Sequence, residues 1–103
     1  MHSIDIPDRS IYYTTVRFIW DAENIAHIAR HGVAPQEVEE AMTDQDTVVV
    51  PTRRRRFSAY GTSATGRPLR VIYNLVGQDG IRVTTAYPIR RRVLDRIRQE
   101  AQP

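Results

Sequence analysis

Leu69-Arg70-Val71-Ile72-Tyr73-Asn74-Leu75-Val76-Gly77-Gln78-Asp79-Gly80-Ile81-Arg82-Val83-Thr84-Thr85-Ala86-Tyr87 is the stretch that decides the fold. Two runs rich in β-branched and aromatic residues flank Gly77-Gln78-Asp79-Gly80, a hairpin turn. In the first run, Leu69, Val71, Tyr73 and Leu75 alternate with Arg70, Ile72, Asn74 and Val76; both sets are partly apolar, so the strand reads as central and covered on at least one face. In the second, Ile81, Val83, Thr85 and Tyr87 stand opposite Arg82, Thr84 and Ala86.

Working outward, Thr62–Pro68 is a polar turn containing Gly66, Arg55–Gly61 is a strand, Pro51–Arg54 a connection and Thr47–Val50 another strand. The four strands make an antiparallel meander. On the other side, Pro88 ends the last strand and Ile89–Gln99 reads as a helix, with Ile89, Val93, Leu94 and Ile97 inward and the arginines mostly outward. Upstream, Ile11–Trp20 favours strand and Asp21 is a helix N-cap. The helix after it carries Ile25, Ile28 and Ala29 on one stripe, and Gly32 suits the residue just past its end. Pro35 fits the first turn of a second helix whose apolar face is Val38, Ala41 and Met42, and Asp44-Gln45-Asp46 is a turn. Residues 1–10 read as loose. The sum is an α+β fold, with two N-terminal helices and one C-terminal helix packed on an antiparallel sheet.

At 103 residues the chain is one small domain. It has no cysteine, which excludes a disulfide framework and cysteine-ligated zinc. No apolar run suits a membrane span and no signal-peptide pattern opens the sequence, so no membrane association is expected and a cytosolic bacterial protein is the simplest reading. All 15 basic residues are Arg, for which the codon bias of a GC-rich genome is one explanation. Whatever the cause, each guanidinium is a permanently charged planar fork suited to phosphate and a poor general base.

The charges are segregated. Residues 1–52 hold three Arg against nine acids, and residues 53–103 twelve Arg against three. Either one surface meets a polyanion, or the two halves neutralise each other across the fold.

Phe18-Ile19-Trp20-Asp21, then Asn24, then Arg30-His31-Gly32-Val33, resembles the opening signature of the BrnT toxins, the ribonuclease halves of a bacterial toxin–antitoxin pair. Ala59-Tyr60-Gly61 followed by Thr65-Gly66-Arg67-Pro68-Leu69-Arg70-Val71 is similar to that family's Gly…Gly-Arg-x-Leu hairpin, and Ile81-Arg82-Val83-Thr84-Thr85-Ala86 to its Ile-Arg-hydrophobic-(Ser/Thr)-Ala strand. The resemblance spans roughly Arg17 to Ile97. It implies a RelE-like fold, metal-independent ribonuclease activity with no cofactor, and RNA as substrate. It also implies a BrnA-like ribbon-helix-helix antitoxin as partner, with operator DNA bound only through the toxin–antitoxin complex. Two departures stand out: Arg30 replaces the family's Lys before His31, and Tyr87 replaces the Arg that usually follows Ala86.

Metal-independent RNA cleavage requires removal of the 2′-hydroxyl proton, fixed in-line geometry, stabilisation of phosphorane charge and an acid for the leaving 5′-oxygen. For catalysis the candidates are His31, Tyr60, Arg67 and Arg82. His31 lies at a helix C-terminus and suits proton transfer or phosphate contact, or else a structural hydrogen bond. Arg67 follows a glycine turn, as a transition-state ligand or an exposed turn residue. Arg82 lies on the non-core register of the last strand; solvent-facing or salt-bridged arginines are common there, and the resemblance is what favours an RNA site. Tyr60 suits base stacking, proton donation or half-buried packing.

Arg30, Arg55, Thr84, Tyr87, Arg90 and Arg91 are the candidates for substrate binding; Tyr87 shares the packing alternative. Arg53-Arg54-Arg55-Arg56 could follow a nucleic-acid backbone, stand in solvent, or dock an acidic antitoxin segment. His27 and His31 are four apart on one helix face, but no third ligand is evident, so no metal is expected. Two further readings remain: a non-catalytic toxin-like module that binds an antitoxin, and a plain RNA-binding domain.

Overall fold

The computed structural model describes residues 16–102. Its elements run β1 (Arg17–Ile19), α1 (Ala22–Ala29), α2 (Pro35–Met42), β2 (Val48–Arg53), β3 (Arg56–Thr62), β4 (Pro68–Val76), β5 (Gly80–Pro88) and α3 (Arg91–Ala101). The fold is α+β as expected. The expected loose residues 1–10, and Ile11–Thr15 of the expected first strand, lie outside the described residues. No helix among the described residues is long and apolar enough to cross a membrane.

The sheet order is β1-β5-β4-β3-β2. The meander β2–β5 is antiparallel, but β1 joins β5 in parallel, with Phe18 opposite Ile81, so the sheet is mixed rather than antiparallel throughout. A parallel pair needs a long crossover, and here everything from α1 to β4 supplies it. β2 also runs on through Pro51–Arg53, which the sequence reads as connection. Pro51 is tolerated because β2 is an edge strand.

Asp21 caps α1 as expected: its carboxylate accepts the Asn24 N–H at 3.0 Å, and Asn24 Oδ1 accepts the Asp21 N–H at 2.8 Å. The helix ends in a Schellman turn, with Val33 N–H donating to Ile28 O, Gly32 N–H to Ala29 O, and Gly32 at φ +72°. This turn places His31 at the surface and sends Val33 into the core. The expected inward stripe of α1 is only partly right. Ile28 is buried, but Ile25 and Ala29 are exposed, and the second buried residue is Asn24. Asn24 is buried because its Nδ2 donates to Ile19 O at 2.9 Å and so fastens the helix start to β1.

Helices α1 and α2 cover one sheet face, where Ile28, Val33, Val38 and Ala41 meet Ala59, Leu69, Val71, Tyr73, Ile81, Val83 and Ala86. Gly61 lies where a Cβ would collide with Ala41 O and Thr47 Oγ1, so α2 approaches β3 along its backbone. Helix α3 packs on the other side at the β2–β3 end. Leu94 is fully buried outside that core cluster, and Arg98 Nη2 donates to Asp44 Oδ2 and Thr62 Oγ1. Val93, expected inward, is exposed.

Candidate active site

Cross-strand register places Ser58, Tyr60, Arg70, Ile72, Asn74, Arg82, Thr85 and Tyr87 on the sheet face opposite the main core. A bulge in β5 between its pairs with Ile72 and Tyr73 leaves Thr84 unpaired in the ladder and keeps Arg82 on the same face as Asn74. Helix α3 covers one end of this face; along the rest, Tyr60, Arg70, Ile72, Asn74, Arg82, Thr85 and Tyr87 are half-buried and Ser58 is buried.

In the row Tyr60–Arg70–Tyr87, the Arg70 guanidinium is the hub. Its Nη1 donates to Tyr87 Oη at 2.6 Å and its Nη2 to Ser58 Oγ at 3.1 Å. Arg70 Cζ lies 5.6 Å from the Tyr60 ring centre and 5.8 Å from that of Tyr87, so the cation sits between the two tyrosines, beside the Tyr60 ring and at the hydroxyl edge of Tyr87. No carboxylate of the described residues pairs with it. The His31 ring meets the Tyr87 ring edge-on at 5.9 Å, and His27 is 6.1 Å beyond His31. An unneutralised, orientationally fixed guanidinium, a phenol that accepts from it and so keeps its own proton for donation, and an exposed imidazole thus lie side by side.

This arrangement brings together three of the sequence candidates, His31, Tyr60 and Tyr87, around a fourth residue, Arg70, that local sequence does not single out. Arg70 is legible there only as a polar position of the alternating strand; its place between two tyrosines follows from register.

The other candidates lie elsewhere. Arg67 Nη1 donates to both oxygens of Glu37 at 3.1 Å and to Gly32 O at 2.8 Å. Its guanidinium thereby ties the β3–β4 turn to α2 and to the end of α1. Arg82 is bound to Asp21 and, at 3.5 Å, to Glu23. Its hydrogen bond and charge hold the Asp21 carboxyl below the ordinary carboxylate range, and Asp21 in turn raises the Arg82 value. Arg55 donates to Leu75 O and Gly77 O, joining two hairpin tips. Thr84 donates to Asn74 Oδ1 at 3.2 Å, and Arg91 to Gly66 O at 2.7 Å. Arg30 and Arg90 are exposed at the end of α1 and the start of α3.

Every ion pair among the described residues joins a residue before position 53 to one after it. The segregated charges therefore neutralise each other in part, and Arg67, Arg82 and Arg98 are taken up by that neutralisation. No group of three or more His, Cys, Asp or Glu converges as a metal site among the described residues.

No protein-family model matches the chain, and no curated protein matches it either. Among solved structures, it is similar to the 1.1 Å crystal structure of the Brucella abortus ribonuclease toxin BrnT. The two share 24% sequence identity at a TM-score of 0.60, over 74% of this chain and 99% of the toxin. The chain, with its mixed five-stranded sheet and three helices, thus shares its overall fold with the BrnT toxin.

Proposed function

We propose that this protein is an RNA-cleaving toxin of the BrnT kind, and that its chemistry centres on Arg70, Tyr87 and His31. The observation that carries the reading is the half-buried Arg70 guanidinium held between Tyr60 and Tyr87, with no carboxylate partner among the described residues, on a sheet face of a ribonuclease-toxin fold.

In this reading the 2′-oxygen attacks the adjacent phosphorus and passes its proton to His31. The phosphorus–O5′ bond breaks, and the departing 5′-oxygen takes the Tyr87 proton. Arg70 donates to the non-bridging oxygens, whose charge grows in the transition state. Tyr60 offers a π-face for a neighbouring base. The products are a 2′,3′-cyclic phosphate and a 5′-hydroxyl. No step requires a metal. Tyr87 takes over the position that the family usually fills with Arg, and Arg70 supplies the positive charge in its place. By the same resemblance, a ribbon-helix-helix antitoxin neutralises the protein, and the complex binds operator DNA.

The test is cleavage of end-labelled RNA by purified protein in EDTA, beside Arg70→Ala, Tyr87→Phe and His31→Ala. The parent is expected to leave cyclic-phosphate ends, and loss of the Arg70 donors to slow cleavage by about 10²–10³-fold. Intact RNA with folded parent, or an unchanged rate in Arg70→Ala, would sink the proposal. The first outcome would leave a module whose task is antitoxin binding.

A further inference from the structure

The β2–β3 hairpin tip carries Arg53, Arg54 and Arg56, which with Asn74 line a recess of about 460 Å³. All three arginines are exposed, and none forms an ion pair among the described residues. Such crowding of like charge opposes folding unless something anionic occupies the site. Arg54 also has φ +53°, a left-handed conformation that costs a non-glycine residue free energy.

Position matters as much as charge. Arg53 pairs with Arg56, and Arg56 with Asn74, so these three residues share the sheet face that bears Arg70. Asn74 is four residues beyond Arg70 on β4, about 13 Å along the strand. That is further than one phosphodiester reaches, so a single strand held at Arg70 would present a neighbouring phosphate, about two removed, to the tip. Between the two basic rows lie Ser58, Ile72 and Thr85, with no acidic residue among them.

We infer that the Arg53–Arg54–Arg56 tip is a second phosphate-binding site, which holds the backbone of single-stranded RNA running along β3 and β4 away from Arg70. This inference rests on the proposed RNA reading of the Arg70 site. It makes the protein's preference one of strand length: substrates that extend past the reacting phosphate toward the tip bind better than short ones.

The experiment compares the parent with an Arg53→Ser/Arg54→Gly/Arg56→Ser variant; Gly at position 54 suits the positive φ and favours an intact fold. Fluorescence anisotropy reads binding of labelled, uncleavable 2′-O-methyl RNA as a dinucleotide and as an octamer. The octamer is expected to bind the variant about 10–100-fold more weakly, and the salt dependence of its affinity to flatten by about one unit of slope for each phosphate no longer held. The dinucleotide is expected to bind both proteins alike.

Equal binding of the octamer to both proteins overturns the inference, as does an equal loss for both RNAs. A parent that binds octamer through the tip yet cleaves no RNA leaves the phosphate site standing and removes the nuclease reading. Loss of binding to polyglutamate without loss for the octamer reassigns the tip to an acidic protein partner and also overturns the inference.

Discussion

Replacing Asp44 by Ala should loosen α3 and the end of β3 together. The Asp44 carboxylate accepts from Thr62 N–H at 3.0 Å, Thr62 Oγ1 at 2.6 Å and Arg98 Nη2 at 3.0 Å, and from Asp46 N–H at 3.2 Å. The Asp44 side chain is 20% exposed and that of Arg98 24%, so water replaces only part of what is removed. The two Thr62 bonds to a charged acceptor contribute about 1.5 kcal/mol each. The half-wet Arg98 pair adds a few tenths to about 1 kcal/mol. Asp44→Ala should therefore cost about 3–4 kcal/mol, or roughly 15 °C in Tm for a domain of this size.

Arg98→Ala leaves the Thr62 bonds intact and should cost about 1 kcal/mol or less. Burial pushes the Asp44 value up, but the Thr62 hydroxyl, the amides of Asp46 and Thr62, and the Arg98 charge together hold it below the ordinary carboxylate range. The folded protein thus binds this proton less readily than the unfolded chain. The stabilisation is full above a pH of about 4 and fades as pH falls through the depressed folded value. Urea titration of parent and both variants at neutral and acid pH measures all of this. A loss under about 1 kcal/mol for Asp44→Ala at neutral pH, or a loss that grows toward acid, would refute the reasoning.

Three further outcomes are expected. Leu94→Ala empties a fully buried site under α3 and should cost about 2–5 kcal/mol by thermal or urea unfolding. Gly61→Ala drives a Cβ into Ala41 O and Thr47 Oγ1, so α2 must shift; a drop in Tm larger than that of an exposed glycine-to-alanine control at Gly66 checks it, after allowing for the strain of Gly66's positive φ. Arg67→Ala removes the tie to Glu37 and Gly32 and should lower stability by about 1–3 kcal/mol, while cleavage measured below the new Tm stays within about tenfold of the parent.

The element order was legible because each signal is local. Asp21, Gly32 and Pro35 mark helix ends by their own backbone chemistry, and Val38 and Ala41 lie on the buried face that their spacing predicts. The parallel seat of β1 was not legible, since it depends on where a crossover returns rather than on any residue of the strand. Asn24 escaped the apolar stripe because a polar residue goes inside when it has a backbone oxygen to hold. The site was half legible for the same reason. His31, Tyr60 and Tyr87 carry recognisable chemistry, but the residue between them is identified only by the pairing of Tyr60 with Arg70 and of Arg70 with Tyr87. The ion pairs of Arg67 and Arg82 were not legible, because their carboxylate partners lie 30 and about 60 positions away along the chain.

The parallel pairing of Phe18 with Ile81 also sets an order of events for the nascent molecule. Helix α1 and the strand before it are made well ahead of their sheet neighbour β5, which follows about 60 residues later. Closing so long a segment is entropically slow, so the meander must form before β1 has an edge to join. Tyr87 stands on the same late strand. A chain interrupted before residue 80 would hold α1 and three strands of the meander but would lack Tyr87, the residue that both Arg70 and His31 meet.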